Sequence, residues 1–333
     1  MDYTSDRLEM KTAKYAAGYD AVCLFVNDTA DTDTLWVLSM GGVKLIAMRC
    51  AGFDRVDTKA AKAFGLTVTR VPAYSPYAVA EHAISLLMAV NRKTHIASVR
   101  VKMSNFSLDS GLLGMDIHGK TVAVMGTGKI GQILCKIISG FGVNLLAYDV
   151  FENDEGKSLH VCYFAKQRQN LFFSAITLST LVKSLGGKYV SKEEIYKQSD
   201  IIFLMMPLLQ ATRHTINEDV LPMLKKGVII INTSRGGLID TNALISGLHS
   251  GIIGGCGLDV YENEGEYFFQ DYSSKSIKDE RLIAMLGNNR IVLTAHQAFF
   301  TKEAIDKIVS TTIENLTNFA SGLRGNELPN SVC

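Results

Sequence analysis

The sequence predicts an α/β protein made of two doubly wound, parallel-sheet (Rossmann-like) domains. The chain has 333 residues, which at about 150 residues per domain suggests two domains. Short apolar runs alternate with helical patterns, as they do in parallel βα units. A glycine-rich turn at residues 126–131 follows one of these runs and opens a helical pattern, so a second βα series begins near residue 120.

The elements follow from short apolar runs, which are typical of buried parallel strands, and from longer segments with helical spacing of apolar residues. In the first domain we predict strands at residues 21–26, 44–49 and 66–71 and helices at 58–64 and 79–92. In the second domain we predict strands at 121–125, 143–149, 201–205, 228–232, 254–259 and 291–294, with a helix at 130–140. A long amphipathic helix at 302–321 ends the series.

These patterns divide the chain into three stretches. We place the first domain at residues 1–95 and the second at 96–294. The last helix follows the final strand of the second domain, so we expect residues 295–333 to return to the first domain.

The composition excludes several classes of protein. There are 34 basic and 33 acidic residues, so no bulk charge favours nucleic acid or an acidic membrane. No apolar run reaches the roughly 18 residues of a membrane helix. The six cysteines form no Cys-x-x-Cys pair, so no metal site is predicted. The first residues lack the pattern of a secretory signal, and we expect a cytoplasmic protein.

Gly126, Gly128 and Gly131 form a G-x-G-x-x-G turn between a predicted strand and a predicted helix. The first glycine permits the tight turn, the second lets backbone approach a pyrophosphate, and the third lets helix and strand pack closely. The amides of Lys129 and Ile130 would then face the phosphates at the positive end of the helix. The alternative is an ordinary glycine-rich βα turn.

Asp149 ends the next predicted strand, 23 residues beyond Gly126. A carboxylate at this place can accept a hydrogen bond from a ribose 2′-hydroxyl and repels a 2′-phosphate. The sequence therefore favours NAD over NADP.

Arg235, Glu264 and His296 each follow a predicted strand, where ligands bind in open α/β sheets. Arginine can hold a carboxylate through two hydrogen bonds, and a histidine with a carboxylate partner is an acid–base group near neutral pH. Each residue taken singly also has a structural interpretation. Arg235 could cap a turn, Glu264 could be solvated, and His296 could lie in the core.

From residue 16 onward the chain resembles the D-2-hydroxyacid dehydrogenases, and within them the fermentative D-lactate dehydrogenases. The resemblance includes Ile-Asn-Thr-Ser-Arg-Gly-Gly-Leu-Ile-Asp, Gly-Leu-Asp-Val-Tyr-Glu-Asn-Glu and His-Gln-Ala-Phe-Phe-Thr. The matching stretches are residues 49–54, 71–76, 78–83, 126–131, 231–240, 257–264 and 296–301. The resemblance implies a flavodoxin-like substrate domain followed by an NAD-binding domain.

The resemblance also implies hydride transfer between nicotinamide and C2 of a 2-oxo or 2-hydroxy acid. His296 would give its proton to the C2 oxygen, and Glu264 would hold the imidazole and favour its charged form. Arg235 would bind the substrate carboxylate and polarise the carbonyl. Backbone amides at Ala51 and Gly52 would also bind the carboxylate.

The same resemblance implies a set of contacts to NAD. For Met206 and Thr212 the alternative is plain packing at a strand end. The full predicted set is Gly126, Gly128, Lys129, Ile130, Gly131, Asp149, Met206, Pro207, Thr212, Thr233, Ser234 and Asp259.

Aromatic residues favour pyruvate and D-lactate as the substrate pair. Tyr74 and the pair Phe299–Phe300 match the lactate-type branch, and a bulky ring leaves room for a methyl group but little more. One such ring discriminates by about 1–3 kcal/mol, so related small oxo acids stay open. These rings could also be core packing. We expect a homodimer, with two alternatives: another D-2-hydroxyacid dehydrogenase, or a weakly active NAD-binding regulatory homologue.

The chain departs from the family pattern in two places. Residues 1–15 are polar and contain no strand-like run, so the first domain is expected to lack its first strand. Residues 156–181 form an atypical, apolar and aromatic-rich insertion of 26 residues. Its opening Gly-Lys-Ser can be encoded by GGTAAGTCN, which contains a splice-donor consensus. We favour a translated, retained intron; the alternative is a genuine surface lobe.

Overall fold

The computed structural model describes residues 2–149 and 178–333. The chain divides into two compact units, Met1–Ser75 with Phe299–Cys333, and Pro76–Ala298. Each unit is built around a parallel sheet with helices, so the predicted fold class is confirmed. The predicted insertion at 156–181 lies almost wholly outside the described residues.

The strands and helices alternate along most of the chain. The strands are β1 (Ala21–Leu24), β2 (Leu45–Met48), β3 (Thr67–Thr69), β4 (Thr121–Met125), β5 (Asn144–Tyr148), β6 (Lys188–Tyr189), β7 (Ile201–Leu204), β8 (Val228–Asn232), β9 (Ile253–Leu258) and β10 (Ile291–Leu293). The α-helices are α1 (Thr32–Met40), α2 (Thr58–Ala63), α3 (Pro76–Arg92), α4 (Thr94–Lys102), α5 (Lys129–Ser139), α6 (Leu178–Ser184), α7 (Lys192–Gln198), α8 (Thr241–Ser250), α9 (Glu264–Tyr267), α10 (Glu280–Leu286) and α11 (Lys302–Ala320).

The first unit is a three-stranded parallel sheet in the order β1-β2-β3. The central strand β2 is buried on both faces. Ile46 and Met48 join the core that includes Leu35 of α1. Leu45 and Ala47 point the other way, into a core that includes Phe319 of α11 and Leu328, so the C-terminal helix covers the second face.

The second unit is a seven-stranded parallel sheet in the order β10-β9-β8-β7-β4-β5-β6. Alternate residues of a strand enter different cores, Val122 and Val124 on one face and Ala123 and Met125 on the other. A sheet covered on both faces needs nearly continuous apolar strands, which the sequence provides. In the described residues, no helix is both long and apolar enough to cross a bilayer.

The strand order reverses beside β4. From β4 the chain moves outward to β5 and β6, and β7 then pairs on the other side of β4. Ligands of open α/β sheets bind outside the carboxyl ends of the strands at such a reversal. The turn at Gly126 follows β4, and Met205 follows β7, at this point.

The second unit begins earlier than the expected boundary at residue 96, because α3 belongs to it. Ala83, Leu86 and Leu87 of α3 are buried against the sheet, in the core that contains Val122. A Cβ on Gly257 of β9 would lie 2.8 Å from Leu86 Cβ, so helix and strand pack in close contact. The helix predicted at 79–92 begins three residues earlier, at Pro76, because proline favours the first position of a helix.

Candidate active site

The glycine turn after β4 is shaped by close backbone contacts. Gly126 has a φ of +99°, and a Cβ there would lie 2.6 Å from the Met205 carbonyl oxygen. A Cβ on Gly131 would lie 2.0 Å from the Gly126 carbonyl oxygen. Side chains are therefore excluded at both positions, the first by conformation and contact and the second by contact alone.

Gly128 is the N-cap of α5, and Lys129 and Ile130 are the first residues of that helix. Among the described residues, no heavy atom lies within 4 Å of a Cβ built on Gly128. The helix N-terminus thus has open space beside it and amide donors in its first turn. This arrangement fits a dinucleotide pyrophosphate.

Asp149 follows β5, as predicted, and its carboxylate also braces the glycine turn. Asp149 Oδ2 accepts hydrogen bonds from the amide of Thr127 at 2.7 Å and from its hydroxyl at 3.0 Å. Tyr189 in turn donates to Thr127 Oγ1 at 2.9 Å. The acid expected at the ribose is therefore part of a hydrogen-bond network that fixes the glycine turn.

The segment after β7 folds back on itself. Met206 is buried and Pro207 is exposed. The buried hydroxyl of Thr212 donates to the Pro207 carbonyl at 2.7 Å and accepts from the Leu209 amide at 2.8 Å. These contacts give Thr212 a local structural role after β7, which agrees with the packing alternative for this residue.

The turn after β8 carries Thr233, Ser234 and Arg235. The buried side chain of Asn232 accepts from the Ser234 amide at 3.0 Å and donates to the Arg235 carbonyl at 2.9 Å. The Thr233 hydroxyl donates to Met205 Sδ at 3.7 Å, and Arg235 Nη1 donates to the Ser234 carbonyl at 2.9 Å. The two hydrogen bonds of Asn232 therefore fix the backbone conformation of the turn that carries Arg235.

The structure brings together His296 and Glu264, the two residues predicted to form an acid–base pair. His296 Nδ1 lies 2.9 Å from Glu264 Oε1, and the side chains are only 15% and 16% exposed. The Tyr261 amide donates to the other carboxylate oxygen of Glu264 at 3.0 Å. With Nδ1 held by a carboxylate, Nε2 is the ring nitrogen that can exchange a proton with a substrate.

Asp259, after β9, holds the loop that carries His296. Its buried carboxylate accepts from the Thr294 hydroxyl at 2.6 Å and from the amides of residues 297–298 at 2.8 Å, and His82 Nε2 lies 3.5 Å away. Its carbonyl accepts from the His296 amide at 2.7 Å. Burial opposes ionisation, but hydrogen bonds from His82, Thr294 and the loop amides outweigh it and lower the pKa of the Asp259 carboxyl.

The turns that carry the predicted arginine and glutamate are in backbone contact. A Cβ on Gly236 would lie 2.1 Å from the Tyr261 carbonyl carbon. The neighbouring Glu262 carboxylate is hydrogen-bonded to His214 Nε2 at 2.7 Å and accepts from the Thr241 hydroxyl at 3.0 Å. The two turns therefore cannot shift independently of each other.

In the first unit, Ala51 and Gly52 form the bend after β2. Arg70 Nη1 donates to the Ala51 carbonyl at 3.1 Å, and Cys50 Sγ donates to the Gly52 carbonyl at 3.2 Å. Both carbonyls are thereby occupied within the unit, and the bend is fixed.

The aromatic residues predicted to contact substrate cluster in the first unit. The ring centroid of Phe299 lies 6.1 Å from that of Tyr74 and 5.9 Å from those of Phe25 and Phe300. The Arg49 guanidinium lies 4.6 Å from the Phe25 centroid. Sequence reasoning missed Phe25, which joins the cluster from the end of another strand.

Glu262 and Thr294 had no recognisable sequence signal as supporting residues, because their hydrogen-bond partners lie more than 20 residues away in the chain. His82 had such a signal, since its helical spacing places it near the packed face of α3. In the described part of the chain, no group of three His, Cys, Asp or Glu residues is placed to hold a metal ion.

Known proteins resemble the chain over nearly all its length. The model for the NAD-binding domain of D-isomer specific 2-hydroxyacid dehydrogenases matches residues 84–182 and 171–298. A 2-hydroxyacid dehydrogenase homologue of Schizosaccharomyces pombe is 45% identical over 322 residues, which cover 96% of this chain and 89% of that protein. The D-lactate dehydrogenase of Escherichia coli is 44% identical over 315 residues, covering 95% and 88%.

A solved structure has the same fold. The pyruvate reductase of Chlamydomonas reinhardtii superposes with a TM-score of 0.82 at 42% identity, covering 98% of this chain and 89% of that one. Sequence and fold therefore agree, and the chain belongs to the D-isomer specific 2-hydroxyacid dehydrogenases, with NAD as its cofactor.

Proposed function

We propose that the chain is an NAD-dependent D-lactate dehydrogenase that interconverts pyruvate and D-lactate. The observation that carries the proposal is the His296–Glu264 pair, with Nδ1 and Oε1 2.9 Å apart in a unit of NAD-binding type. A histidine held in this way can supply and remove the proton of a C2 oxygen.

In pyruvate reduction, His296 begins protonated and donates from Nε2 to the carbonyl oxygen at C2. Glu264 accepts from Nδ1–H, which fixes the ring and stabilises the imidazolium before transfer. Bound NADH supplies the hydride to C2. In lactate oxidation His296 takes the hydroxyl proton back.

Arg235 binds the substrate carboxylate in this proposal. Its guanidinium can form two parallel hydrogen bonds to a carboxylate and brings positive charge to the polarised carbonyl. The amides at Ala51 and Gly52 provide further donors for the carboxylate. Asn232 positions Arg235 through its backbone, at 2.9 Å from the carbonyl.

The cofactor contacts are proposed at the residues after β4, β5, β7, β8 and β9. The glycine turn and the first amides of α5 hold the pyrophosphate. Asp149 accepts from the adenosine ribose and disfavours NADP. The remaining proposed contacts are Met206, Pro207, Thr212, Thr233, Ser234 and Asp259.

The substrate is proposed to be pyruvate because Tyr74 and Phe299 form an aromatic contact in the first unit. Rings of this size accommodate a methyl group better than a long side chain. Relatives named as D-lactate dehydrogenase and pyruvate reductase support this choice. The D stereochemistry is inferred from the D-lactate dehydrogenase and from the D-isomer specific family.

The test is a steady-state assay of NADH oxidation with pyruvate, 2-oxobutyrate and 2-oxoisocaproate, followed by chiral analysis of the product. We expect pyruvate to have the highest kcat/KM and D-lactate to be formed. His296→Ala should lower turnover by roughly 10²–10⁴-fold while NADH still binds. The exposed His249→Ala is the matched control. A preference for a branched oxo acid would identify another D-2-hydroxyacid dehydrogenase, and near-parental activity of His296→Ala would refute the assigned role.

We also propose that the enzyme is a homodimer, joined through residues 99–113, here called the apolar arm. Large apolar side chains of the arm are each more than half exposed: Val99, Val101, Met103, Phe106, Leu108 and Leu113. Monomers rarely expose such a patch, and the same surface on a second copy can cover it by two-fold symmetry.

Light scattering after gel filtration tests the dimer. Phe106→Asp with Leu108→Asp should give a monomer, whereas Val309→Asp, on the exposed side of α11, should leave the mass of the assembly unchanged. A parent chain that is monomeric at micromolar concentration contradicts the proposal.

A further inference from the structure

Phe269, near the candidate active site, has a backbone conformation that is unusual for its residue type. Of the described residues, six that are not glycine have a positive φ, and three of them are His214 (50°), Phe269 (66°) and His296 (54°). This left-handed region is costly for a bulky aromatic residue, and such strain clusters at functional sites. His214 and His296 already have roles in the site, whereas Phe269 has none.

Phe269 stands at the end of a single turn that starts at the proposed catalytic glutamate. Both ends of this turn, residues 264–269, contact His296. At one end Glu264 Oε1 lies 2.9 Å from His296 Nδ1. At the other end the Phe269 ring centroid lies 5.9 Å from the imidazole centroid, with the planes tilted by 40°.

The residues between the two ends of the 264–269 turn hold it in place. The Phe268 side chain is buried in the core, and its amide donates to the Glu264 carbonyl at 2.8 Å. The Tyr267 hydroxyl accepts from the Asp279 amide at 3.2 Å. These anchors explain how the strained conformation of Phe269 persists.

Burial of Phe269 itself does not explain the strain. Its side chain stays 39% exposed, unlike the buried Phe268 beside it. The imidazole it lies against is only 15% exposed, so Phe269 is the more exposed ring of the pair.

We propose that Phe269 is a positioning residue for His296, which holds the imidazole against Glu264 and limits the access of water to it. The role rests on the proposed function, since it concerns the acid–base group of that reaction. Excluding water strengthens the charge–charge contact between the imidazolium and the carboxylate and keeps the ring aligned for proton transfer.

Two readouts test the role, one of which does not need turnover. The first is the rate at which diethyl pyrocarbonate acylates His296, followed by mass spectrometry. The second is kcat and KM for pyruvate at saturating NADH, measured together with the Tm. Phe269→Gly and Phe269→Asn both tolerate a positive φ, Phe269→Tyr keeps the ring, and Gln270→Ala is the neighbouring exposed control.

We expect Phe269→Gly and Phe269→Asn to acylate at His296 several times faster than the parent, with little change in Tm. Their kcat should fall roughly tenfold or more, while the KM for pyruvate changes little. Phe269→Tyr and Gln270→Ala should behave as the parent does.

Acylation of His296 at the parental rate in both ring-deleted variants would overturn the proposal, whatever their turnover. Faster acylation of His214 and His249 as well, with a lower Tm, would show that Phe269 only stabilises the fold and would also overturn it. A parent that reduces no 2-oxo acid would refute the proposed function, and the acylation rates would still decide the role of Phe269.

Discussion

Two carboxylates determine where the imidazole of His296 lies. Glu264 holds the ring through Nδ1, and Asp259 holds the loop through hydrogen bonds to its amides. The first fixes the proton that stays on the ring, and the second fixes the backbone from which the ring projects. We therefore expect the proposed activity to depend also on residues that need not touch substrate.

Arg235→Lys should impair the enzyme although the charge is kept, because an ammonium group cannot make two parallel hydrogen bonds to a carboxylate. Loss of one charge-assisted hydrogen bond costs about 1.5–3 kcal/mol, so kcat/KM for pyruvate should fall roughly 10- to 150-fold. Steady-state kinetics measure this, with Arg281→Lys as the control. If Arg235→Lys matches the parent, the carboxylate is bound elsewhere.

The proposed catalytic residues could be selected from the sequence because each lies within five residues after a predicted strand and in a motif of the family. Asn232 and Glu262 lie in the same motifs, but the sequence does not mark them as supporting residues. Asn232 acts through hydrogen bonds to two backbone groups of its turn, and Glu262 acts through the side chains of His214 and Thr241. Residue type and spacing do not specify these contacts. Phe269 was missed because nothing in the sequence marks a positive φ at a phenylalanine.

At the scale of elements, the glycine turn and the start of α5 contain glycines that are needed for two different reasons, packing at Gly131 and access for the cofactor at Gly128. Gly131→Ala should destabilise the fold, because its Cβ would lie 2.0 Å from the Gly126 carbonyl oxygen. Gly128→Ala should keep the Tm of the parent, because its Cβ meets open space among the described residues, but should weaken NADH binding by blocking the approach of the pyrophosphate. Thermal melts and NADH titrations separate the two effects. Equal Tm values for both variants would contradict this account.

The contribution of Asp259, at the end of β9, to the stability of the fold should depend on pH. Its pKa is lower in the folded state, so the ionised carboxylate stabilises the fold above the unfolded pKa, about 3.9. This contribution is lost as pH falls through the lowered folded-state value. Urea unfolding of the parent and Asp259→Asn should therefore differ most at neutral pH and converge in acid. A pH-independent difference for Asp259→Asn would contradict the assignment.

Most strands were predicted to within one or two residues at either end, because a run buried on both faces is continuously apolar. The two-residue strand β6 is too short to leave a pattern. Helix α4 was missed because every residue of it is at least partly exposed, so it lacks an apolar face directed at the core. The assignment of α3 to the second unit depends on which sheet its apolar face meets.

At the scale of the whole molecule, the C-terminal segment of the chain completes the core of the first unit. Helix α11 and residues after it cover one face of the sheet in that unit, with Leu328 buried at 2% exposure. Folding of the first unit thus needs segments more than 200 residues apart in sequence, which slows folding relative to local pairing.

The segment at residues 156–177 should reduce the yield of folded protein. It is apolar and aromatic-rich, and α6 begins directly after it at Leu178, within the limits first predicted for the insertion. Deleting residues 156–177 should raise soluble yield and leave Asp149 and α6 in place. Soluble yield, the Tm with NADH and pyruvate turnover compare the two chains. A full chain that is as soluble and as active as the shortened one would show that the segment is tolerated.

The proposed ribose contact of Asp149, together with its hydrogen bonds to Thr127, limits how this enzyme could change its cofactor. Substituting the carboxylate would remove the repulsion of a 2′-phosphate and, in the same step, remove both hydrogen bonds that hold Thr127 in the glycine turn. The intermediate variant would bind either dinucleotide poorly, so selection for NADP would first meet a loss of activity. A route that avoids this loss must change Thr127 or Tyr189 before Asp149, so that the turn no longer needs the acid when the acid is replaced.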